Sequence, residues 1–113
     1  MRVEPHQPPR QFTVGRTQIE LSHVADIELE PDELVTFRTP SGTEYDVVRK
    51  TWGYYATPSL NRRLPEHGLN PVLVRNRRTG NHFVLLVESG MQSEFENYCS
   101  DEDLEVMHKW VLE

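Results

Sequence analysis

Residues 34–48, LVTFRTPSGTEYDVV, decide the fold class of this chain. The two ends of the stretch, 34–39 and 43–48, are rich in β-branched and aromatic residues, and Pro-Ser-Gly lies between them at 40–42. Proline followed by glycine in a short loop between two such runs is a strong hairpin signal. The stretch therefore predicts two antiparallel strands that are joined by a tight turn.

Two more hairpins are predicted, one on each side of this one. Upstream, apolar residues alternate on both sides of a turn at Gly15-Arg16, where glycine in the first central position suits a type II′ turn. Downstream, 72–75 and 82–87 are apolar runs that flank a loop at 77–80. The three hairpins predict an α+β fold with an antiparallel sheet, or a partly closed barrel, of about six strands.

The two ends of the chain depart from this pattern. Residues 1–10, MRVEPHQPPR, contain three prolines and few apolar residues, which predicts a disordered or extended N-terminal tail. After Gly90, a serine and acidic residues predict a C-terminal helix over about 92–102. The apolar residues of 104–111 fit a strand and a helix equally well. We expect a single α+β domain over 11–113.

Length and composition exclude several classes of protein. At 113 residues and 13.2 kDa the chain has room for one domain. Its longest apolar run, 83–87, is far shorter than the roughly 20 residues that span a membrane, and no apolar signal segment is visible. The single cysteine, Cys99, cannot form an internal disulfide. These features predict a cytoplasmic protein with no membrane partner.

The net charge of −6 is the sum of three blocks of different sign. Residues 1–48 carry −5, residues 49–78 carry +6, and residues 79–113 carry −7. Most of the basic residues are arginine, whose planar guanidinium matches carboxylate and phosphate groups. A charge run is usually a solvated surface, so the basic block becomes a candidate site only through the residues that lie inside it.

The segment 51–71, TWGYYATPSLNRRLPEHGLNP, lies in the basic block and is long for a connection between two hairpins. Thr57 followed by Pro58 is typical of a helix start, and Pro65 would end that helix. Backbone amides at a helix start can bind an anion. Nearby aromatic rings offer faces on which a sugar or base could stack, although the same rings would also suit packing.

We therefore predict that this loop binds a small anionic ligand, such as a sugar nucleotide. The arginines would hold the anion, the amides near the serine would cap it, and the aromatic rings would stack on it. The predicted ligand-binding residues are Trp52, Tyr54, Tyr55, Ser59, Asn61, Arg62 and Arg63.

The same segment carries a resemblance. Residues 52–64, WGYYATPSLNRRL, followed by Gly80-x-x-Phe83 and Val87-Glu88, resemble a group of small uncharacterised bacterial proteins. Some members of that group are encoded near genes for nonulosonic, sialic-acid-like sugars or other surface glycans. The resemblance covers about 45–99. It implies a surface-sugar pathway and no particular reaction.

Catalytic and metal signals are weak in this sequence. Cys99 lies among acidic residues near a helix end, which disfavours its reactive thiolate form. The five histidines show no metal-ligand spacing, and no phosphate-binding glycine motif is present, so we predict no metal and no cofactor. His67, the one histidine in the basic block, is the best candidate for acid–base catalysis. Binding is favoured over enzymatic activity.

Three alternatives remain open. The arginines and aromatic residues of 49–78 would suit nucleic acid, but the acidic flanks argue against a long polyanion. The chain could instead be a protein-interaction module, either a homodimer or an adaptor for a partner enzyme, in which acidic and basic blocks of two copies pair. A small enzyme that acts on such a sugar is the third possibility.

Overall fold

The computed structural model describes residues 1–111 as eight strands and two helices. The strands are β1 (Arg2–Val14), β2 (Ile19–Glu28), β3 (Leu34–Arg38), β4 (Glu44–Lys50), β5 (Gly53–Ala56), β6 (Leu69–Asn76), β7 (His82–Glu88) and β8 (Leu104–Lys109). The helices are α1 (Arg63–Glu66) and α2 (Gln92–Glu102). In the part of the chain that is described, neither helix has the length and apolar character needed to cross a membrane.

The strands form three antiparallel sheets. We call them the ribbon (β1–β2), the β4 sheet (order β3-β4-β5) and the β6 sheet (order β7-β6-β8). The predicted α+β class, the three hairpins and the C-terminal helix are confirmed. The expectation of six strands in one sheet or partly closed barrel was wrong in detail, because each hairpin belongs to its own sheet.

Residues 1–10, for which we expected a disordered or extended tail, form most of strand β1. From Arg2 to Pro5 they pair with β2, and pairing resumes at Arg10 after a shift of register. Proline has no amide hydrogen to donate, so Pro8 and Pro9 fit the irregular stretch between the two paired parts. The Gln7–Pro8 peptide bond in this stretch is cis.

The segment 51–71 is not a continuous loop. It contains β5, which pairs with β4, then α1, and then the first residues of β6. The predicted helix start at Thr57-Pro58 was wrong, because α1 begins at Arg63 and includes Pro65. Proline is tolerated in the first turn of a helix, where its missing amide hydrogen has no partner to lose.

The main core lies on one face of the β6 sheet. Val72, Val74 and Val87 are buried there, and partly buried residues of β7, α2 and β8 pack against them. A second apolar contact holds α1, whose Leu64 has no exposed surface and packs toward β6. The β6 sheet with its two helices is therefore the part of the chain that carries its own core.

Candidate functional site

The predicted ligand-binding residues lie on several different structural elements. Trp52 is at the tip of the β4–β5 hairpin and is 71% exposed, while Tyr54 and Tyr55 are neighbours on β5 and so point to opposite faces of the β4 sheet. Ser59, Asn61 and Arg62 precede α1, and Arg63 is its first residue.

These residues do not line one pocket. Tyr54 lines a groove of about 560 Å³ beside Arg49 and the base of the ribbon, and this groove contains several carboxylates. Asn61 lines a different hollow, which runs along β8. Neither groove is lined by the remaining five predicted residues. The geometry therefore separates the side chains that the sequence suggested would act together.

Backbone amides before α1 are also engaged within the chain. The amide of Arg63 donates to the hydroxyl of Ser59 over 2.8 Å, and the amides of Arg62 and Leu64 donate to the Ser59 carbonyl. Because these donors already have acceptors, this turn does not offer the set of free amides that we expected for an anion.

The basic block 49–78, which contains seven basic residues, is partly neutralised by folding. Three of its basic side chains form ion pairs with acidic residues from the flanking blocks, and the Arg49 guanidinium donates to the Leu29 carbonyl. The ion pairs are Lys50–Asp32 (2.5 Å), Arg75–Glu105 (2.8 Å) and Arg77–Asp103 (3.3 Å). Among residues 1–111, Arg62, Arg63 and Arg78 form no ion pair.

His67, the candidate acid–base residue, lies in acidic rather than basic surroundings. Its Nδ1 atom is 3.8 Å from Oε2 of Glu44. The groove that it lines, about 600 Å³ in volume, also contains Glu66 and Glu88, and the Ser41 hydroxyl donates to the Glu88 carboxylate. The charge of a sequence block therefore does not give the charge around His67.

Cys99 is buried on α2. Burial, which disfavours the charged form, raises the pKa of its thiol above the ordinary value. The physical setting agrees with our expectation that the thiolate is disfavoured, although the main cause is burial rather than the neighbouring acidic residues.

The ribbon has one apolar and one polar face. Residues that are directly opposite in an antiparallel pair point to the same side, and side chains alternate along each strand. The apolar pairs are Val3–Ile27 and Pro5–Ala25 on one side of the register shift, and Phe12–Leu21 and Val14–Ile19 on the other, next to the Arg10–His23 pair. The polar face contains the pairs Arg2–Glu28, Glu4–Asp26, Gln11–Ser22 and Thr13–Glu20.

The apolar pairs of the ribbon are only partly covered by the chain, since Phe12 and Ile19 are half-buried while others stay exposed. Val3 is 49% exposed, Leu21 is 41% exposed and Ile27 is 43% exposed. Sheets with one apolar face ordinarily pack that face against another layer. The ribbon therefore presents a surface that is suited to a contact.

A buried carboxylate holds the turn of the ribbon to the rest of the chain. Glu102, at the end of α2, accepts hydrogen bonds from the amide of Arg16 (2.7 Å), the amide of Thr17 (3.0 Å) and the hydroxyl of Thr17 (2.6 Å). The hydroxyl of Thr17, followed by the two amides, keeps the pKa of Glu102 below its ordinary value. A Cβ atom on Gly15 would lie 2.0 Å from the carboxylate, so glycine makes this close approach possible.

His6, His23 and Asp26 meet at the irregular stretch of the ribbon. Nε2 of His6 is 3.2 Å from Oδ2 of Asp26, and Nε2 of His23 is 2.8 Å from Oδ1 of the same carboxylate. The two imidazole rings are 4.2 Å apart between centroids. His6 and then His23 keep the pKa of Asp26 below its ordinary value.

Sequence reasoning missed this cluster and the Glu102 anchor. Metal-ligand motifs are recognised by short spacings within one helix or loop. These three residues come from two strands and meet at the register shift between Pro5 and Arg10. Glu102 was one acidic residue among several in its block. The local signal for the anchor is Gly15, but a glycine at this position is also expected for the predicted type II′ turn.

Comparisons with known proteins add no family to this description. No protein-family model, curated protein or solved structure matches the chain. The resemblance of residues 45–99 to small bacterial proteins stays a prediction.

Proposed function

We propose that the chain is a protein-interaction module that acts as a homodimer through the apolar face of the ribbon. The observation that carries the proposal is the exposure of Val3, Leu21 and Ile27, which belong to apolar pairs of the ribbon. An isolated two-stranded hairpin is only marginally stable in water. A second layer over this face would supply the apolar burial that the ribbon lacks.

The total surface supports a partner of considerable size. The accessible surface is 7948 Å², whereas a compact monomer of this mass exposes about 6,400 Å². The radius of gyration, 15.6 Å, likewise exceeds the roughly 13 Å of a compact chain of this length. The excess area of about 1,500 Å² exceeds the roughly 800 Å² that each partner buries in a standard interface.

A second copy is the occupant that fits this face best. Two ribbons packed face to face would form a two-layer β-structure in which both apolar faces are covered. A twofold arrangement places the same patch on both sides, so carboxylates on the patch would oppose each other. The four apolar pairs contain no carboxylate, and the Asp26 carboxylate beside the Arg10–His23 pair is held by His23 at 2.8 Å.

Sedimentation velocity of the full chain tests the proposal with a matched pair of variants. Leu21→Glu places a carboxylate on the apolar face, and Ser22→Glu places one on the polar face of the same strand. We expect the original chain and Ser22→Glu to sediment at twice the 13.2 kDa chain mass at about 10–100 μM. Leu21→Glu should weaken the dimer at least about 100-fold, because the new charge would be buried.

Two results would overturn the dimer. One is a monomeric original chain over that concentration range, and the other is equal weakening by both variants. If the chain is a monomer and a different protein binds it through Leu21, that protein is the partner of this surface and the dimer proposal is wrong.

The small-anion hypothesis keeps one specific observation in its favour. Arg62 and Arg63 are exposed neighbours, and within residues 1–111 neither forms an ion pair. Two free guanidinium groups can hold a phosphate or carboxylate. The charge of these two groups supports binding of a surface-sugar intermediate or sugar nucleotide as a second candidate function.

An NMR titration with nucleotide-sugars and sugar acids tests the anion candidate. We expect amide shifts across 59–64 that are lost in Arg62→Ala and Arg63→Ala. Arg78→Ala is the matched control, because Arg78 is also exposed and forms no ion pair within the described residues. Shifts that are lost equally in the control would indicate a general charge effect and exclude a site at Arg62 and Arg63.

A further inference from the structure

We propose that His6, His23 and Asp26 form a binding site for a divalent transition-metal ion of the Zn²⁺ class. The site lies in the ribbon but does not depend on the proposed dimer, since all three residues come from one chain. One ligand atom from each residue lies within 4.8 Å of the other two. No sequence motif assigns this site, and its ligands come from two strands.

The distances from the two imidazoles to the carboxylate are near those of a tetrahedral site, although each imidazole faces a different oxygen of Asp26. Ligand atoms that are each about 2.0–2.1 Å from Zn²⁺ lie roughly 3.3 Å from one another. The distances from Asp26 oxygens to Nε2 of His6 and of His23 are 3.2 Å and 2.8 Å. Small rotations of the side chains, without a change of strand pairing, would let the three groups share one ion.

The donor set has the chemistry of a transition-metal site. Neutral imidazole is a good ligand for Zn²⁺, Ni²⁺ and Cu²⁺, and two imidazoles with one carboxylate leave a fourth position open. The Asp26 carboxylate supplies the negative charge that offsets part of the charge of the ion.

The His6 ring supplies a second, independent observation. Its Nε2 atom is buried and has no aligned hydrogen-bond partner, although Asp26 is close to it. Buried polar atoms in native proteins are ordinarily satisfied, and each exception requires a physical reason. A metal ion between His6, His23 and Asp26 would satisfy this nitrogen.

Arg10 is the group that opposes metal binding. Its Nη2 atom is 3.3 Å from Nδ1 of His23, and its guanidinium carbon lies 4.6 Å from the centre of the Phe12 ring. Arginine can only donate, so this contact favours a His23 tautomer with its proton on Nε2, the atom that faces Asp26. An ion at Nε2 requires the opposite tautomer, and the positive charge of Arg10 repels it. Arg10 should therefore lower the affinity.

Isothermal titration calorimetry of the full chain without a histidine tag, with Zn²⁺ alone, tests the site. We expect one ion per chain with micromolar affinity. His6→Gln, His23→Gln and Asp26→Asn should each weaken binding at least about tenfold. His82→Gln is the matched control, because His82 is an exposed histidine on β7 outside the cluster, and it should bind like the original chain.

A gain of affinity separates the site from damage to the fold. Arg10→Gln removes the positive charge and can accept a hydrogen bond from Nδ1–H of His23, so it should tighten Zn²⁺ binding several-fold. Co²⁺ should give the intense visible absorption of a tetrahedral complex, and Asp26→Asn should reduce it. Absence of Zn²⁺ binding, equal loss in His82→Gln, or weaker binding by a folded Arg10→Gln chain would overturn the proposal.

Discussion

The β6 sheet and the ribbon are built from similar alternating strands, yet they bury their apolar side chains to very different extents. In the β6 sheet, Val72, Val74 and Val87 are covered, because α2 packs against β7 and β8. In the ribbon, Val3 and Ile27 form a direct pair and both remain exposed. Strand pairing alone therefore does not decide burial, and a second layer is needed.

The attachment of the two regions differs as well. The ribbon is fastened near its ends, by Glu102 at the turn and by the ion pair of 3.0 Å between the Met1 ammonium group and Glu33 at the other end. Both attachments are polar, so they position the ribbon without covering its apolar face. This arrangement leaves the β6 sheet as the stable body and the ribbon as the part that gains most from a partner.

The largest change in the free energy of unfolding should come from a substitution in the stable body, the β6 sheet with its two helices. Leu64→Ala removes a side chain with no exposed surface from the contact between α1 and β6. We expect the free energy of unfolding to fall by about 2–5 kcal/mol, since the lost burial leaves a cavity. Urea denaturation measures this, and a loss below about 1 kcal/mol would show that the body is no better packed than the ribbon.

The next largest effect should come from the anchor between the two regions. Gly15→Ala places a methyl group against Glu102, at a backbone φ of +78° that disfavours side chains. We expect destabilisation by about 1–3 kcal/mol and faster hydrogen exchange of the Arg16 and Thr17 amides.

Gly80→Ala is the control for the anchor. Gly80 has a similar φ of +75°, but a Cβ atom there would meet nothing within 4 Å. The backbone cost is therefore shared, and the difference between the two variants isolates the contact with Glu102. Equal destabilisation by both would mean that the Glu102 contact does not hold the turn.

A smaller effect is expected for Leu21→Ala, which repeats the Leu64 substitution on the open face of the ribbon. In dilute solution the change in free energy of unfolding should stay below about 1 kcal/mol, because the side chain is 41% exposed. If the proposed dimer forms, the loss should grow with protein concentration, since dimerisation stabilises only the folded chain. Denaturation at two concentrations a hundredfold apart distinguishes the cases, and a loss as large as that of Leu64→Ala in dilute solution would contradict the comparison.

The sequence predicted those parts of the fold whose signals are local. The β3–β4 turn follows from Pro40 and Gly42, and the C-terminal helix from a few consecutive residues. Strand β1 was not predicted over 1–10, because its three prolines disfavour a strand locally. Pro5 is nevertheless paired with Ala25, and Pro8 and Pro9 lie in the register shift opposite β2. The sequence did not distinguish a strand from a helix over 104–111, because the apolar pattern fits both. The pairing of β8 with β6 decides for a strand.

The candidate site was harder to predict, for the same reason. The sequence predicts a basic patch over 49–78, but Arg75 pairs with Glu105, thirty residues away. His6 and His23 meet only through strand pairing. Clusters of charges and of metal ligands depend on contacts between residues that are distant in sequence. A single sequence shows which residue types are present but does not show which of them meet in space.

The smallest effect, a dependence on pH, tests the link between the regions under native conditions. The hydrogen bond from the Thr17 hydroxyl lowers the pKa of Glu102 below its ordinary value of 4.5. A carboxylate with a lowered pKa in the folded state stabilises that state above 4.5, and the contribution is lost as the pH falls through the lowered value. The Arg16 and Thr17 amide shifts should therefore change as the pH falls, with a midpoint below 4.5.

Two variants decide whether Glu102 causes this transition. Glu102→Gln cannot titrate and offers one acceptor oxygen where two are used, so the transition should disappear and the two amides should exchange at least about tenfold faster. Glu96→Gln, on the exposed part of the same helix, should leave the transition unchanged. A transition that persists in Glu102→Gln, or that has a midpoint above 4.5 in the original chain, would assign it to another group. The ribbon would then be held to the body by contacts that do not include this carboxylate.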